Sequence, residues 1–126
     1  MSDYPVIAIN RIWDAGERSE RVNCRFGGQW RVSDLRDLVK NEPVFDLPLA
    51  HIDLGNHDFG VKEGLIGFAR HMKHVMEADL SFPIILDEWG MPLDGRHRLV
   101  KALIEGHETI KAVRVPAGSS PTIPEN

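Results

Sequence analysis

Apolar positions along the chain fall into two rhythms, and each predicts a kind of element. Between residues 65 and 79, Leu65, Phe68, Met72, Val75 and Met76 recur at the spacing of one helix face. That stripe predicts a helix with Met72 and Met76 as core filler. Val32, Leu35, Leu38 and Val39 predict a second helix, with Ser33 as its N-cap and Pro43 beyond its end. A third is expected over 95–105, burying Leu99, Val100, Leu103 and Ile104. Gly106 is placed to stop it in a left-handed cap.

The remaining apolar runs read as strands. "YPVIAINRIW" (4–13) and "RVNCRF" (21–26) flank a polar turn, and "GG" breaks the second. "FDLPLAHIDL" (45–54) reads as a strand in which Pro48 marks a start or a sheet edge. "FPIILDE" (82–88) is a continuous apolar run suited to a buried strand, "WGMPL" turns it back, and "TIKAVRV" (109–115) alternates. This order predicts an α+β fold: a small mixed β-sheet with packed helices. The tail "PAGSSPTIPEN" has three prolines and little to bury, so residues 117–126 are expected to be mobile.

Composition narrows the function classes. A chain of 126 residues, 42% of them hydrophobic, suits one compact domain. Its net charge of −4 argues against a protein that grips duplex DNA by itself, which needs a basic face to displace counterions. Residues 1–40 hold seven Lys/Arg against six Asp/Glu, and residues 41–126 hold eight against thirteen. Arginines in the second part therefore look local in purpose. Cys24 is the only cysteine, which excludes an intrachain disulfide and a cysteine-rich zinc site. The N-terminus lacks the pattern of a signal peptide, and no apolar stretch has the length of a membrane span. The expectation is a soluble cytoplasmic protein without a membrane partner.

The densest candidate chemistry lies at "LDGRHR" (93–98), where a strand becomes a helix. Helix starts expose backbone N–H groups and the positive dipole end, a glycine lets an anion approach, and arginines bind phosphate oxygens in a fork. Asp94, Gly95, Arg96, His97 and Arg98 thus make a candidate phosphate cradle. A plainer alternative stands beside it: Asp94 as N-cap, Gly95 as turn residue and the cations as a solvated first turn. Cations are disfavoured at this helix end, and a bound anion would remove that cost.

The order of "LPLAHIDL", a loop, "LIGFARHMKHVM", "PIILDE", "LDGRHR", "LVKALIEGH" and "TIKAVRV" resembles the ParB/sulfiredoxin-like superfamily over residues 46–116. Its strongest element is Gly95 with His97 and Arg98 opening the helix, followed by "ALIEGHETIKAVRV". The resemblance implies a core at 46–116 with residues 1–45 as an added N-terminal extension. It also implies that Gly95, Arg96, His97 and Arg98 hold nucleotide phosphates, with Lys62 as a further contact and a nucleoside triphosphate with Mg²⁺ as the cofactor. Arg96 stands where sulfiredoxins carry their catalytic cysteine, so sulfinic acid repair is not implied. The chain has no room for a helix-turn-helix domain, and "GNHDF" replaces the family's arginine-rich segment.

Other residues admit both a functional and a bland reading. His97, set among cations that favour the neutral imidazole, is the acid–base candidate. Asp87 and Glu88 are expected beside the cradle, able to orient Arg98, carry Mg²⁺ or serve as a general base. Glu88 is the second catalytic candidate, and Trp89 at the same turn has the chemistry to stack on a base. His71 and His74 are spaced for a metal pair, but the wheel places them at the edge of the apolar stripe and opposite it, a solvated face. His51, Asp53, His57 and Asp58 fit no established metal spacing, so no metal site is assigned. His107, after Gly106, favours the negative end of the helix. Three functions remain: nucleotide or phosphate-ester binding at Asp94–Arg98 with phosphotransfer or hydrolysis, a non-enzymatic module binding a protein through residues 1–45, and a ParB-like nuclease.

Overall fold

The computed structural model describes residues 21–23, 27–52, 64–121 and 123. In chain order these form β1 (Arg21–Asn23), β2 (Gln29–Arg31), α1 (Val32–Val39), β3 (Phe45–Pro48), a 3₁₀ turn (Leu49–His51), α2 (Gly64–Glu77), β4 (Ile84–Leu86), β5 (Pro92–Asp94), α3 (Arg96–Ile104) and β6 (Thr109–Arg114). The expected strand at 4–13, Cys24, Lys62, Asp53, His57 and Asp58 lie outside the described residues.

The fold is α+β. Four strands form a mixed sheet in the order β3-β6-β4-β5, and β1 and β2 form a separate antiparallel pair. In the four-stranded sheet β4 runs parallel to β6, while β3 is antiparallel to β6 and β5 to β4. Alternation along the central strands fixes two apolar faces. Ile84 and Leu86 of β4 and Ile110 and Ala112 of β6 pack against Leu99 and Ala102 of α3 and Leu49 and Ile52. Ile85 and Val113, with Leu93 of β5, point the other way, toward Trp30 of β2 and Leu35 and Val39 of α1. All three residues of β4 are consequently buried, which is why "IIL" shows no polar alternation. Pro48 closes β3 on an outer strand of the sheet, where the missing donor does no harm.

Element ends follow from local chemistry. Gly106 takes φ 77, Gly106 N–H donates to Leu103 O (3.2 Å) and His107 N–H to Ala102 O (3.0 Å), closing α3 in a Schellman motif. The start of α1 departs from expectation. β2 runs directly into it, so Arg31 is the N-cap, no side chain caps it, and Ser33 lies inside the helix. The tail, for which the sequence predicts mobility, makes several bonds to the body. Ile123 exchanges two backbone bonds with Gln29 (2.8 and 2.9 Å), and Gly118 N–H donates to Glu88 Oε2 (2.7 Å).

The outward faces of two helices differ from the wheel. α3 buries Leu99 and Ala102 and leaves Leu103 and Ile104 exposed. α2 buries Gly67 and Val75, whereas Leu65 is 85% and Met76 78% exposed. Its inner side runs through Gly67, His71, His74, Val75 and Ala78, which shares Val75 with the apolar stripe but is centred about a quarter turn from it. α2 thus meets α3 through a seam containing two histidines. No helix among the described residues is long and apolar enough to cross a membrane.

Candidate functional site

Successive helical residues point about 100° apart, so Arg96, His97 and Arg98 cannot all face one ligand. The structure sends them three ways. Arg96 is exposed to solvent. The His97 ring turns toward α2, where its Nε2 lies 3.1 Å from His71 Nδ1. Arg98 turns back on the preceding strand and donates from Nη2 to Asp94 Oδ2 at 3.2 Å, a partly buried ion pair.

Gly95 is the N-cap of α3 at φ 110, a left-handed backbone that favours glycine, and no side chain caps this end. A Cβ at Gly95 would sit 2.5 Å from Ile84 Cγ2 and 2.9 Å from Ile84 Cβ. The residue is therefore fixed by the fit of the helix start onto β4, whatever else it does. Asp94, offered by the sequence as a cap, pairs with Arg98 instead. Leu99 N–H to Gly95 O (3.0 Å) is the first bond of the helical ladder.

Arg98 and Asp94 also line a cleft of ≈ 330 Å³. Its floor is apolar, built from Val39, Ile85 and Val113, with Val44, Phe82 and Pro83 at the side. Arg36 and Lys40 of α1 face it from the opposite layer, with Glu42 just beyond. Among the described residues, three cations and two carboxylates thus surround an apolar floor in a chain whose net charge is −4. Phe82 is 60% exposed at the cleft and presents an aromatic face. The volume lies at the small end of small-molecule sites, and apolar walls with a few convergent charges are their usual composition. Arg36 and Lys40 were not singled out from the sequence. They lie one turn apart near the C-terminal end of α1, where cations also suit the helix dipole. That ordinary role hides their convergence with Arg98, which exists only once α1 has folded over the sheet.

Glu88 lies elsewhere. The β4–β5 register pairs Ile85 with Asp94 and Leu86 with Pro92, so Asp87 and Glu88 occupy the turn of this hairpin and α3 starts at its open end. Glu88 accepts from Gly118 N–H, and Trp89 is exposed at the same turn. Neither Glu88 nor His97 lines the cleft. Asp87 is buried, 6% exposed. Its Oδ1 accepts from Trp89 N–H (2.9 Å) and Met91 N–H (2.8 Å), which shapes the turn, and its Oδ2 has no hydrogen-bond partner among the described residues.

The histidines on α2 are the largest surprise. Among the described residues, the His97 ring stacks on His71 with centroids 5.4 Å apart and meets His74 at 5.1 Å. All three are partly buried. The solvated face expected for His71 and His74 is in fact the face toward α3. Lys101 reinforces the seam by donating to Ala78 O (2.7 Å) and Met76 O (3.2 Å) at the end of α2. His107 pairs with Glu105 on the surface at 3.1 Å.

No protein-family model, curated protein or solved structure matches the chain.

Proposed function

We propose that the chain binds a small phosphorylated molecule, a nucleotide or phosphate ester, in the cleft between α1 and the start of α3. The observation that carries this reading is the convergence of Arg36 and Lys40 from one layer with Arg98 from another around an apolar floor. Phosphate oxygens suit the guanidinium forks, and the floor and Phe82 suit a base or other apolar group. The resemblance of residues 46–116 to the ParB/sulfiredoxin-like superfamily supports the same ligand class, with the contacts shifted. Arg98 keeps its role, α1 supplies the other cations, and Gly95 and His97 serve packing and the α2 seam. Among the described residues, Glu42 and Asp94 are the carboxylates that line the cleft, and Asp94 is held by Arg98. A Mg²⁺ ion brought by a triphosphate would rely on its phosphates and water for most of its ligands. No acid–base residue is assigned, so binding is the proposal and catalysis is not.

Calorimetric titration of the whole chain with ATP, ADP, AMP and pyrophosphate, with and without Mg²⁺, tests it. Arg98→Ala, and separately the Arg36→Ala/Lys40→Ala pair, should each weaken binding about 10- to 150-fold, the loss of a charge-assisted contact. Absence of binding by any of these compounds, or equal binding by the double variant, contradicts the reading.

A second reading, a protein-interaction module, is favoured by the apolar stripe on α2. Leu65, Ile66, Phe68 and Met76 are all exposed, an arrangement more usual at contact surfaces than on solvated helices.

A further inference from the structure

We infer that the ligand of the cleft is a nucleoside monophosphate, one base with one phosphate, bound in preference to the corresponding triphosphate. The inference rests on the phosphate-binding reading above and narrows it to a ligand class.

Strand register sets the length of the floor. Val113 of β6 pairs with Ile85 of β4, and Ile85 pairs with Asp94 of β5. All three line the cleft, so its floor contains one cross-strand row that begins on valine and ends on a carboxylate. Neighbouring strands lie about 4.8 Å apart, which makes this row about 10 Å from end to end. Its polar end carries Arg98, paired with Asp94 at 3.2 Å. Val44 adjoins the other end, one residue before the pairing of Phe45 with Ala112. Val44 is 54% and Phe82 60% exposed, and both line the cleft. An aromatic side chain and aliphatic groups so placed offer a flat apolar surface on which a base can stack. The row therefore has room for one ring beside one phosphate.

Charge points to the same class. Among the described residues, the lining sets Arg36, Lys40 and Arg98 against Glu42 and Asp94, an excess of one positive charge. A phosphate monoester carries about −1.5 to −2 at neutral pH, which a small excess of this kind nearly balances. Further phosphoryl groups add negative charge that these cations do not offset, with two carboxylates in the same lining. The volume of ≈ 330 Å³ agrees, because a single phosphate gives the smallest nucleotides.

The test is calorimetric titration of the full chain with AMP, GMP, CMP and UMP, each compared with its own triphosphate plus Mg²⁺ and with ribose 5-phosphate. For the base bound most tightly, the monophosphate should bind more tightly than the triphosphate. It should also exceed ribose 5-phosphate, which lacks the ring, by about 5- to 150-fold, the range for one stacked base. Phe82→Ala should weaken the monophosphate and leave ribose 5-phosphate unchanged, and Phe82→Tyr should keep the binding. Phe82 is exposed, so these replacements leave the core intact. Three results would overturn the inference while leaving a phosphate site in the cleft. They are tighter binding of the triphosphate, ribose 5-phosphate bound as tightly as the monophosphate, and a Phe82→Ala effect that is absent or equal for both. No binding by any phosphorylated compound would overturn the cleft reading and this inference together.

Discussion

Gly95 shows how one residue can carry a packing role that its local sequence does not announce. In sequence it reads as space for an anion. In the fold its hydrogen atom fills the space a methyl group would need beside Ile84, and its φ of 110 excludes most L side chains. Gly106 shares the positive φ, but a Cβ there would meet no atom of the described residues within 4 Å. Gly95→Ala should therefore lose about 2–4 kcal/mol, strain plus overpacking, against about 1 kcal/mol for Gly106→Ala. Urea denaturation of both variants checks this, and equal losses would mean that β4 and α3 are not in close contact at Ile84. The role of Gly106 was legible because a helix cap is local. That of Gly95 was not, because it depends on a strand eleven residues earlier. The ionic partners divide in the same way: nothing local distinguishes Asp94 as a cap from Asp94 as the partner of Arg98.

At the scale of the element, most helices and strands were legible from period and punctuation, and so was the α1 face of Val32, Leu35 and Val39, while the faces that α2 and α3 bury were legible only in part. Of the α2 stripe of Leu65, Phe68, Met72, Val75 and Met76, Val75 is buried as its spacing predicts, but Leu65, Phe68 and Met76 are exposed, so the wheel's centre lies away from the true seam. This gives a direct contrast. Leu65→Glu should change stability by less than about 0.5 kcal/mol, as for an exposed site, whereas Val75→Ala should lose about 2 kcal/mol. Thermal or urea unfolding of the pair decides, and a loss from Leu65→Glu as large as that from Val75→Ala would restore the wheel's reading. The turn that follows α2 offers a pH test. Asp79 Oδ1 accepts from the Ser81 hydroxyl (2.7 Å) and the Ser81 backbone N–H (2.9 Å), and these bonds hold its carboxyl below the ordinary 3.8. A depressed folded pKa stabilises the fold above the ordinary carboxylate range, and the contribution disappears as pH falls through the depressed value. Ser81→Ala should raise the Asp79 pKa toward normal in an NMR titration, without fully restoring it while the backbone donor remains. No rise would mean that the side-chain bond is absent in solution.

For the whole molecule, the decisive fact is that helices on opposite faces of the sheet bring distant cations together. α1 and the β1–β2 hairpin cover the sheet face opposite α3. Arg36 and Lys40 thereby reach the cleft that Arg98 enters from the helix start. The α+β class was readable from the order of elements, but this meeting was not, since it joins residues some sixty positions apart. A locally basic cleft in a chain of net charge −4 suits a small anion better than a polyanion. Duplex DNA should accordingly bind more weakly than the roughly 10⁻⁴–10⁻⁶ M of non-specific binders at physiological salt. Fluorescence anisotropy of a labelled random duplex checks this, and micromolar binding with a steep salt slope would favour a nuclease. The most direct test of the central claim is an amide and side-chain NMR titration of the ¹⁵N-labelled protein with pyrophosphate and with ATP. The account predicts saturable shifts centred on Arg36, Lys40, Phe82, Asp94 and Arg98, with Glu88 and His107 unmoved. No saturable shift, or shifts centred on the β4–β5 turn, would contradict it.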